Sequence, residues 1–386
     1  MCMIRSFNPV GQGAFYTEKF LTHGYEYNFV FDCGSNTCIN KSSGMGKYLE
    51  IEIDGVFNKG EEIEAVFISH CDSDHINGLD KLLSTHHVKK LFMPLIPEES
   101  KILLLMQAYV TFGYKKNQFF EDIIFDPLSL VNKEKYNVTQ VILVKESTEQ
   151  MLNQVDNINF FELNDNIPDE IDSGSEVLLR IYEYPIWKFV LSNFKEDERI
   201  SELINAFASE NIPIPKNYTD MVKIWHSHKN KIINVYKRKS KEKITGDINT
   251  NSLLVYSGKT SNINISLLSV NSTPMQNYCL YPTAGGCMYL GDYMAKGSQK
   301  WKWLKDAFSN NWQDIHIWQL PHHGSWRNYN DEMTLHSADF YVACAGYANQ
   351  YHHPSGSVIR KLIMAGKSVF CVTEKVGTRI DFVYRL

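Results

Sequence analysis

The sequence lacks three features that would assign it to a simple class. No stretch approaches the roughly 18–20 consecutive apolar residues that span a bilayer, so we expect no membrane segment. The N-terminal stretch MCMIRSFNPV has no long apolar core, so we expect no secretory signal and a cytoplasmic protein. A formal net charge of −5 gives no global attraction to nucleic acid, so any such binding needs a local patch.

Paired cysteines are also missing. The chain has 8 cysteines but no C-x-x-C spacing, which argues against a zinc ribbon. Several lie inside apolar runs typical of strands, such as the segments 341–344 and 368–372. We therefore expect buried, reduced thiols rather than a disulfide framework.

What the sequence does contain is a dense cluster of imidazoles and carboxylates. The apolar run 65–68 predicts a strand, and SHCDSDHINGL follows it at once. This segment holds His70, Asp72, Asp74 and His75 in an H-x-D-x-D-H pattern. Alternate residues of an extended segment point the same way, and imidazole and carboxylate are ordinary ligands of zinc and manganese. A lone His–Asp pair would suggest a helix cap, whereas four such residues favour a metal site.

Two later strand ends carry matching side chains. The run 288–290 predicts a strand ending at Gly291-Asp292, and the run 316–320 predicts one ending at Pro321-His322-His323. A single strand-end aspartate is usually a turn former, and paired histidines are often surface residues. Three ligand-bearing strand ends in one chain instead indicate one shared metal centre.

Short strands interleaved with helical patterns predict α/β layers over residues 1–386. Within them, we predict that residues 95–245 form a mostly helical inserted subdomain or lid, through which a protein partner could bind. Its basic stretch 223–243 includes Trp225 and Tyr236 among many lysines. Cations with aromatic rings are typical of a nucleic-acid groove, but a solvated helix face explains the charges equally well.

Taken in order, six motifs resemble the metallo-β-lactamase fold, and within it the hydrolase domain of the ComEC competence proteins and their stand-alone relatives. The matching segments cover most of the chain outside the insertion. They are Val10–Gly13 (VGQG), Phe31–Gly34 (FDCG), Ser69–Leu79, Gly291–Asp292, Pro321–Ser325 and Asn349–Pro354 (NQYHHP). The resemblance implies an αββα four-layer sandwich with two divalent metal ions, Zn²⁺ or Mn²⁺.

The resemblance also implies roles for single residues. His70 and Asp72 would bind the first metal, and Asp74 and His75 the second. Asp292 would bridge the two ions. One of the paired histidines would complete the second site, with His323 preferred as the ligand and His322 facing the substrate. His353 would contact the phosphate or act as general acid, which makes Asp74, His322 and His353 the expected catalytic residues.

One departure from the pattern concerns the first metal. The family's usual third histidine has no counterpart, because Asn249-Thr250-Asn251-Ser252 occupies its place. An oxygen-rich ligand set of this kind favours manganese over zinc without excluding zinc. The expected substrate contacts are Ser325, Asn251, Lys237 and Arg238.

This ligand set suits hydrolysis of a phosphodiester. Two cations roughly 3.5–4 Å apart lower the pKa of a shared water and stabilise charge on phosphoryl oxygens. We therefore predict a metal-dependent phosphodiesterase, a nuclease acting on DNA through a hydroxide that the two metals activate. The alternatives are a hydrolase of a small phosphodiester or acyl compound, and an effector subunit activated by a partner, as in bacterial defence.

Overall fold

Alternation of apolar side chains along the central strands explains why the chain forms two sheets packed face to face. In the computed structural model, Phe29 and Phe31 point into the space between the sheets, whereas Val30 packs on the opposite face. Both faces of these strands are therefore buried, which requires an outer cover of helices. The structure describes residues 1–40, 43–112, 118–147, 159–195, 197–216, 218–236, 251–271, 273–274 and 284–386.

The first sheet has ten strands among the described residues, in the order β13-β12-β18-β1-β2-β3-β4-β5-β6-β8. Strands β3, β4, β5 and β6 are parallel neighbours, and β1, β2 and β18 pair antiparallel. The strands are β1 (Cys2–Phe7), β2 (Gly13–Thr22), β3 (Tyr25–Ser35), β4 (Glu62–Phe67), β5 (His87–Pro94), β6 (Val138–Val144), β8 (Glu170–Ile171), β12 (Ser266–Val270), β13 (Thr273–Pro274) and β18 (Ile380–Arg385).

The second sheet has eight described strands, in the order β17-β16-β15-β14-β11-β10-β9-β7. Strands β14 to β17 are parallel, and β9, β10, β11 and β14 pair antiparallel. The strands are β7 (Phe160–Glu162), β9 (Ser175–Ile181), β10 (Tyr184–Lys195), β11 (Asn251–Lys259), β14 (Gly286–Tyr289), β15 (Ile315–Gln319), β16 (Phe340–Cys344) and β17 (Ser368–Val372).

Helices cover the outer face of each sheet. Those over the first sheet are α1 (Lys47–Val56), α2 (Ser73–Ile76), α3 (Leu79–Thr85), α4 (Glu98–Phe112), α5 (Gln118–Phe125), α6 (Asp197–Ser209) and α7 (Tyr218–Tyr236). Those over the second are α8 (Ser298–Ala307) and α9 (Gly356–Met364). Short 3₁₀ helices lie at Pro127–Asn132, Ser309–Asp314, His322–Gly324, Asp331–Leu335 and Val376–Thr378. The predicted layered αββα sandwich is confirmed.

Residues 95–245, predicted as a mostly helical insertion, contain strands as well as helices. Helices α4 to α7 are present, but five strands lie between them, and β6 and β10 are integral members of the two sheets. The physical reason is the apolar, β-branched sequence of Val138–Val144, which pairs along β5. No described helix has the length and apolar character needed to cross a membrane.

Candidate metal centre

The loops that follow three strands meet at one edge of the sandwich. His70 follows β4 in the first sheet, while Asp292 follows β14 and His323 follows β15 in the second. Carboxyl ends of parallel strands share an edge, and α/β sheets place ligands there. The three ligand-bearing strand ends predicted from the sequence are therefore brought together.

One group of possible ligands consists of His70, His75 and Asp292, all buried. The Nε2 atom of His75 lies 3.3 Å from Oδ1 of Asp292, and Nε2 of His70 lies 3.8 Å from Oδ2 of Asp292. Asp72 is at the edge of this group, with Oδ2 3.9 Å from Nε2 of His70. The ligand atoms of the three buried residues lie within 4.8 Å of one another, close enough to share a cation.

A second group consists of Asp74, His75 and His323. Nε2 of His323 lies 3.2 Å from Oδ2 of Asp74, and its Nδ1 is 2.8 Å from the carbonyl oxygen of Cys344. That carbonyl accepts the Nδ1 proton and leaves Nε2 as the metal-facing atom. His322 instead directs Nδ1 toward Asp292, at 3.4 Å from Oδ2. The His323 ring therefore lies with the second group, and the His322 ring lies beside Asp292.

The donor atoms fit a divalent cation. His70 Nε2, His75 Nε2 and Asp292 Oδ1 are buried and make no hydrogen bond. Leaving one such atom unsatisfied costs about 1–3 kcal/mol. Cations held among them would satisfy all three, and imidazole with carboxylate is the chemistry that Zn²⁺ and Mn²⁺ accept.

Electrostatics support the same conclusion. Burial, followed by the neighbouring His75, lowers the pKa of His70 to about 4, so its ring is a neutral ligand. Burial by itself would raise the pKa of Asp292, but His322 and His75 hold it well below the usual range. Burial opposes protonation of His75, yet Asp32 and Asp292 raise its pKa well above the ordinary value. Two carboxylates thus converge on the His75 ring and make its surroundings favourable for positive charge.

Sequence reasoning missed the residues that orient these ligands. Asp32, at 3% exposure, accepts from the Ser69 amide at 2.7 Å, the Ser69 hydroxyl at 2.7 Å and His75 Nδ1 at 2.8 Å. The Ser69 hydroxyl also lies 2.9 Å from Nδ1 of His70. This network assigns the Nδ1 proton in both rings, so both Nε2 atoms face the metal position. The available signal was the polar Asp32 at the end of an apolar strand.

Two glycines allow the ligand loops to approach the strands. A Cβ at Gly34 would lie 2.3 Å from the backbone of Asp74 and His75. Gly291 has φ +51°, and a Cβ there would lie 2.6 Å from that of Ser69. Side chains at these positions would push the ligand loops apart, so the FDCG and Gly-Asp motifs have a steric basis.

Comparison with known proteins agrees with this architecture. Residues 21–146 match the family model described as the metallo-beta-lactamase superfamily. The fold is the metallo-β-lactamase fold. The matched segment holds His70 to His75 but ends before Asp292 and the paired histidines, so the structure alone brings those three residues to the centre.

Solved structures include one of human tRNase Z, short form, to which the chain is similar at 10% identity. The superposition covers 97% of this chain and 92% of that chain, with a TM-score of 0.34. At that TM-score the likeness carries no information about substrate. A comparison of the sequence with curated proteins finds no match.

The remaining predicted residues surround the candidate metal centre unequally. The His353 ring lies 5.5 Å from that of His322, at the outer side of the cluster. Ser325 is 3% exposed, and its hydroxyl accepts from the Arg327 amide, so it stabilises the turn after the paired histidines. Asn251 begins β11, whose Leu253 amide donates to the Ser69 carbonyl. Lys237 and Arg238 lie outside the described residues.

The aromatic residues of the basic stretch face the core. Trp225 is 1% exposed and packs edge-on against Tyr109 at 5.7 Å. The Tyr236 hydroxyl donates to the carbonyl of Leu103. Lys223, Lys229 and Lys231 are exposed on α7, and Lys229 Nζ lies 6.0 Å from the centroid of the buried Trp225 ring. In the described part of this stretch no tryptophan or tyrosine ring is exposed, so the charges form a solvated helix face with no such ring open to a base.

Proposed function

We propose that this chain is a metal-dependent phosphodiesterase whose substrate is a nucleic acid, with DNA as the first expectation. The observation that carries the proposal is the pair of overlapping ligand groups, which share His75 and lie at one sheet edge. Two adjacent groups suit two cations, and paired cations suit the charge that develops on phosphoryl oxygens.

In this proposal His70, Asp72 and Asp292 hold one cation, and Asp74, His75 and His323 hold the other. Bound divalent ions, Zn²⁺ or Mn²⁺, would supply Lewis acidity to water and to the phosphoryl group. Asp32 and Ser69 keep the two imidazoles in the tautomer that exposes Nε2. Buried walls exclude bulk water, which strengthens the attraction for an anionic substrate.

His322 and His353 act on the substrate in this proposal. Their rings lie at 75° to each other and 5.5 Å apart, so both can contact one group above the ligands. His353 is held by Asn349, which accepts from its amide at 2.9 Å and donates to its carbonyl at 2.6 Å. We assign to His353 the transfer of a proton to the leaving oxygen, and to His322 a contact with the phosphoryl oxygens. The Asn349–Pro354 motif, which contains His353, resembles that of the ComEC-type proteins, and this resemblance supports DNA as substrate.

The test is hydrolysis by the full chain in Mn²⁺ and in Zn²⁺. Labelled DNA and RNA oligonucleotides, bis(p-nitrophenyl) phosphate and p-nitrophenyl acetate are the substrates. We expect cleavage of a nucleic-acid substrate and of bis(p-nitrophenyl) phosphate. Asp292→Asn or Asp74→Asn should lower the rate of cleavage by at least about 100-fold. Asp306→Asn, on the outer helix α8, is the matched control and should retain activity.

Each other result assigns a different function. Cleavage of bis(p-nitrophenyl) phosphate but of neither oligonucleotide would favour a small-substrate phosphodiesterase. Cleavage of the acetate alone would favour an acyl hydrolase. Inert, metal-loaded protein would contradict the proposal and favour the partner-activated alternative.

A further inference from the structure

Three aromatic side chains at the mouth of the metal centre are exposed to solvent. Trp326, Tyr347 and Tyr351 have exposed fractions of 52%, 67% and 59%. Trp326 lies three residues after His323, and Tyr351 lies two residues before His353. Large rings are usually buried, and rings left in water next to a cleft are typical of a contact surface.

One of these rings, Tyr351, ends a row of side chains that leads outward from the ligands. His322 lies against Asp292, the ring of His353 lies 5.5 Å from that of His322, and Tyr351 stacks on His353 at 5.9 Å and 17°. The Ser355 amide donates to the Gly324 carbonyl and joins the two loops. Rings on these loops are therefore placed beside the reacting groups.

Cations lie on the faces of the same rings. Lys296 Nζ is 4.3 Å from the centroid of Trp326, and Lys375 Nζ is 3.5 Å from that of Tyr347. The guanidinium of Arg327 lies 5.7 Å from the Trp326 ring. Lys296 follows Asp292 by four residues. The mouth thus combines exposed π faces with positive charge, although the chain as a whole is acidic.

We propose that this aromatic–cationic rim (Lys296, Trp326, Arg327, Tyr347, Tyr351 and Lys375) binds unpaired nucleotides on either side of the scissile phosphate. The proposal rests on the phosphodiesterase function proposed above, and it names the substrate class as single-stranded nucleic acid. Unpaired bases can stack on a side-chain ring, whereas bases inside a duplex stack on one another. Lysine and arginine beside the rings match the backbone phosphates, and stacking is indifferent to base identity.

Binding without turnover tests the rim separately from the chemistry. Fluorescence anisotropy measures the dissociation constant of a labelled 12-nucleotide single strand for the wild-type protein. The metal supplied is Ca²⁺, which slows cleavage. The same strand is then measured as a duplex, and with abasic nucleotides at its centre. We expect the single strand to bind more tightly than either, and Trp326→Ala or Tyr351→Ala to weaken it roughly 5- to 150-fold, the range for loss of one stacked base. Trp326→Phe should recover most of this binding.

Tyr184→Ala is the matched control, because Tyr184 is 72% exposed but begins β10 at the opposite end of the sandwich. It should bind as wild type. Lys296→Ala should reduce the slope of log Kd against log salt by about 0.7, as expected for one phosphate contact to a single strand. Trp326→Leu keeps an apolar side chain and reports on folding by its melting temperature.

Two results overturn the rim proposal. One is equal binding of single strand, duplex and abasic strand. The other is unchanged binding by Trp326→Ala and Tyr351→Ala while the wild type hydrolyses bis(p-nitrophenyl) phosphate. That second result would leave the phosphodiesterase proposal intact. Conversely, rim-dependent binding by a protein that hydrolyses no phosphodiester supports the rim and removes the proposed function.

Discussion

Replacing Asp32 by asparagine would test whether the buried carboxylate sets the metal affinity. Asn keeps the shape and tolerates the positive φ of 53° at this position. Its one oxygen can still accept from the Ser69 amide, but its amide group must face the Ser69 hydroxyl and His75 Nδ1. His75 Nδ1 then becomes an acceptor, which moves the ring proton to Nε2, the atom expected to bind metal.

Loss of an outer partner of a ligating histidine lowers metal affinity by about 10- to 100-fold, which corresponds to about 1.4–2.8 kcal/mol. Chelator competition with Zn²⁺ and Mn²⁺ measures that affinity, and the melting temperature of the metal-free variant measures folding. Asp339→Asn is the control, since Asp339 also pairs with a histidine, His316, at 3.1 Å, but at the start of β15, whereas the paired histidines follow the end of that strand. Wild-type affinity in Asp32→Asn, with an unchanged melting temperature, would refute the assigned tautomer.

Three further predictions concern packing and protonation. Gly34→Ala should lower metal affinity and destabilise the fold by about 1–3 kcal/mol, because the new methyl group would overpack against the backbone of α2. Gly55 has open space around it, so Gly55→Ala should do neither. Equal metal titrations of the two variants would contradict this prediction. Trp225→Ala should lower the free energy of unfolding by about 3–5 kcal/mol in urea, and weaker oligonucleotide binding at unchanged stability would instead indicate a groove. Burial lowers the pKa of His336 below its usual value, so the unfolded chain takes up this proton first as the pH falls. The stabilising contribution of His336 is therefore complete above about pH 6.5 and declines below it, and His336→Gln should flatten the loss of stability measured between about pH 7.5 and 5.5.

Local spacing made part of the site predictable. The cluster from His70 to His75 lies within six residues, so its chemistry is visible without a fold. Asp32 could not be recognised in the same way, because its partners Ser69 and His75 are 37 and 43 residues away and meet it only when β3 and β4 pair. The sequence also did not reveal which of the paired histidines faces which ligand group. Residues 322 and 323 have φ of 47° and 56°, and this left-handed turn sends one ring to each ligand group.

The aromatic rim shows a related limit of composition. The basic stretch around Trp225 had the residues of a nucleic-acid surface, but helical periodicity buries its rings in the core. Trp326 lies next to the ligand motif but belongs to no periodic pattern of apolar residues. Its exposure follows from the turn at the paired histidines, which the spacing of residues does not reveal.

Because the ligands are divided between two sheets, metal affinity depends on how the sheets are aligned. Phe31, next to Asp32, stacks on Tyr289, three residues before Asp292, with ring centroids 3.9 Å apart. Beneath them, Arg5 and Glu18 of the first sheet form a buried ion pair at 2.7 Å, and Glu18 also accepts from the Tyr289 hydroxyl at 3.0 Å. Such a pair gains little net stability once desolvation is counted, but its directional bonds admit one alignment. We infer that this buried network stabilises the alignment in which carboxylates and imidazoles from both sheets can share a cation.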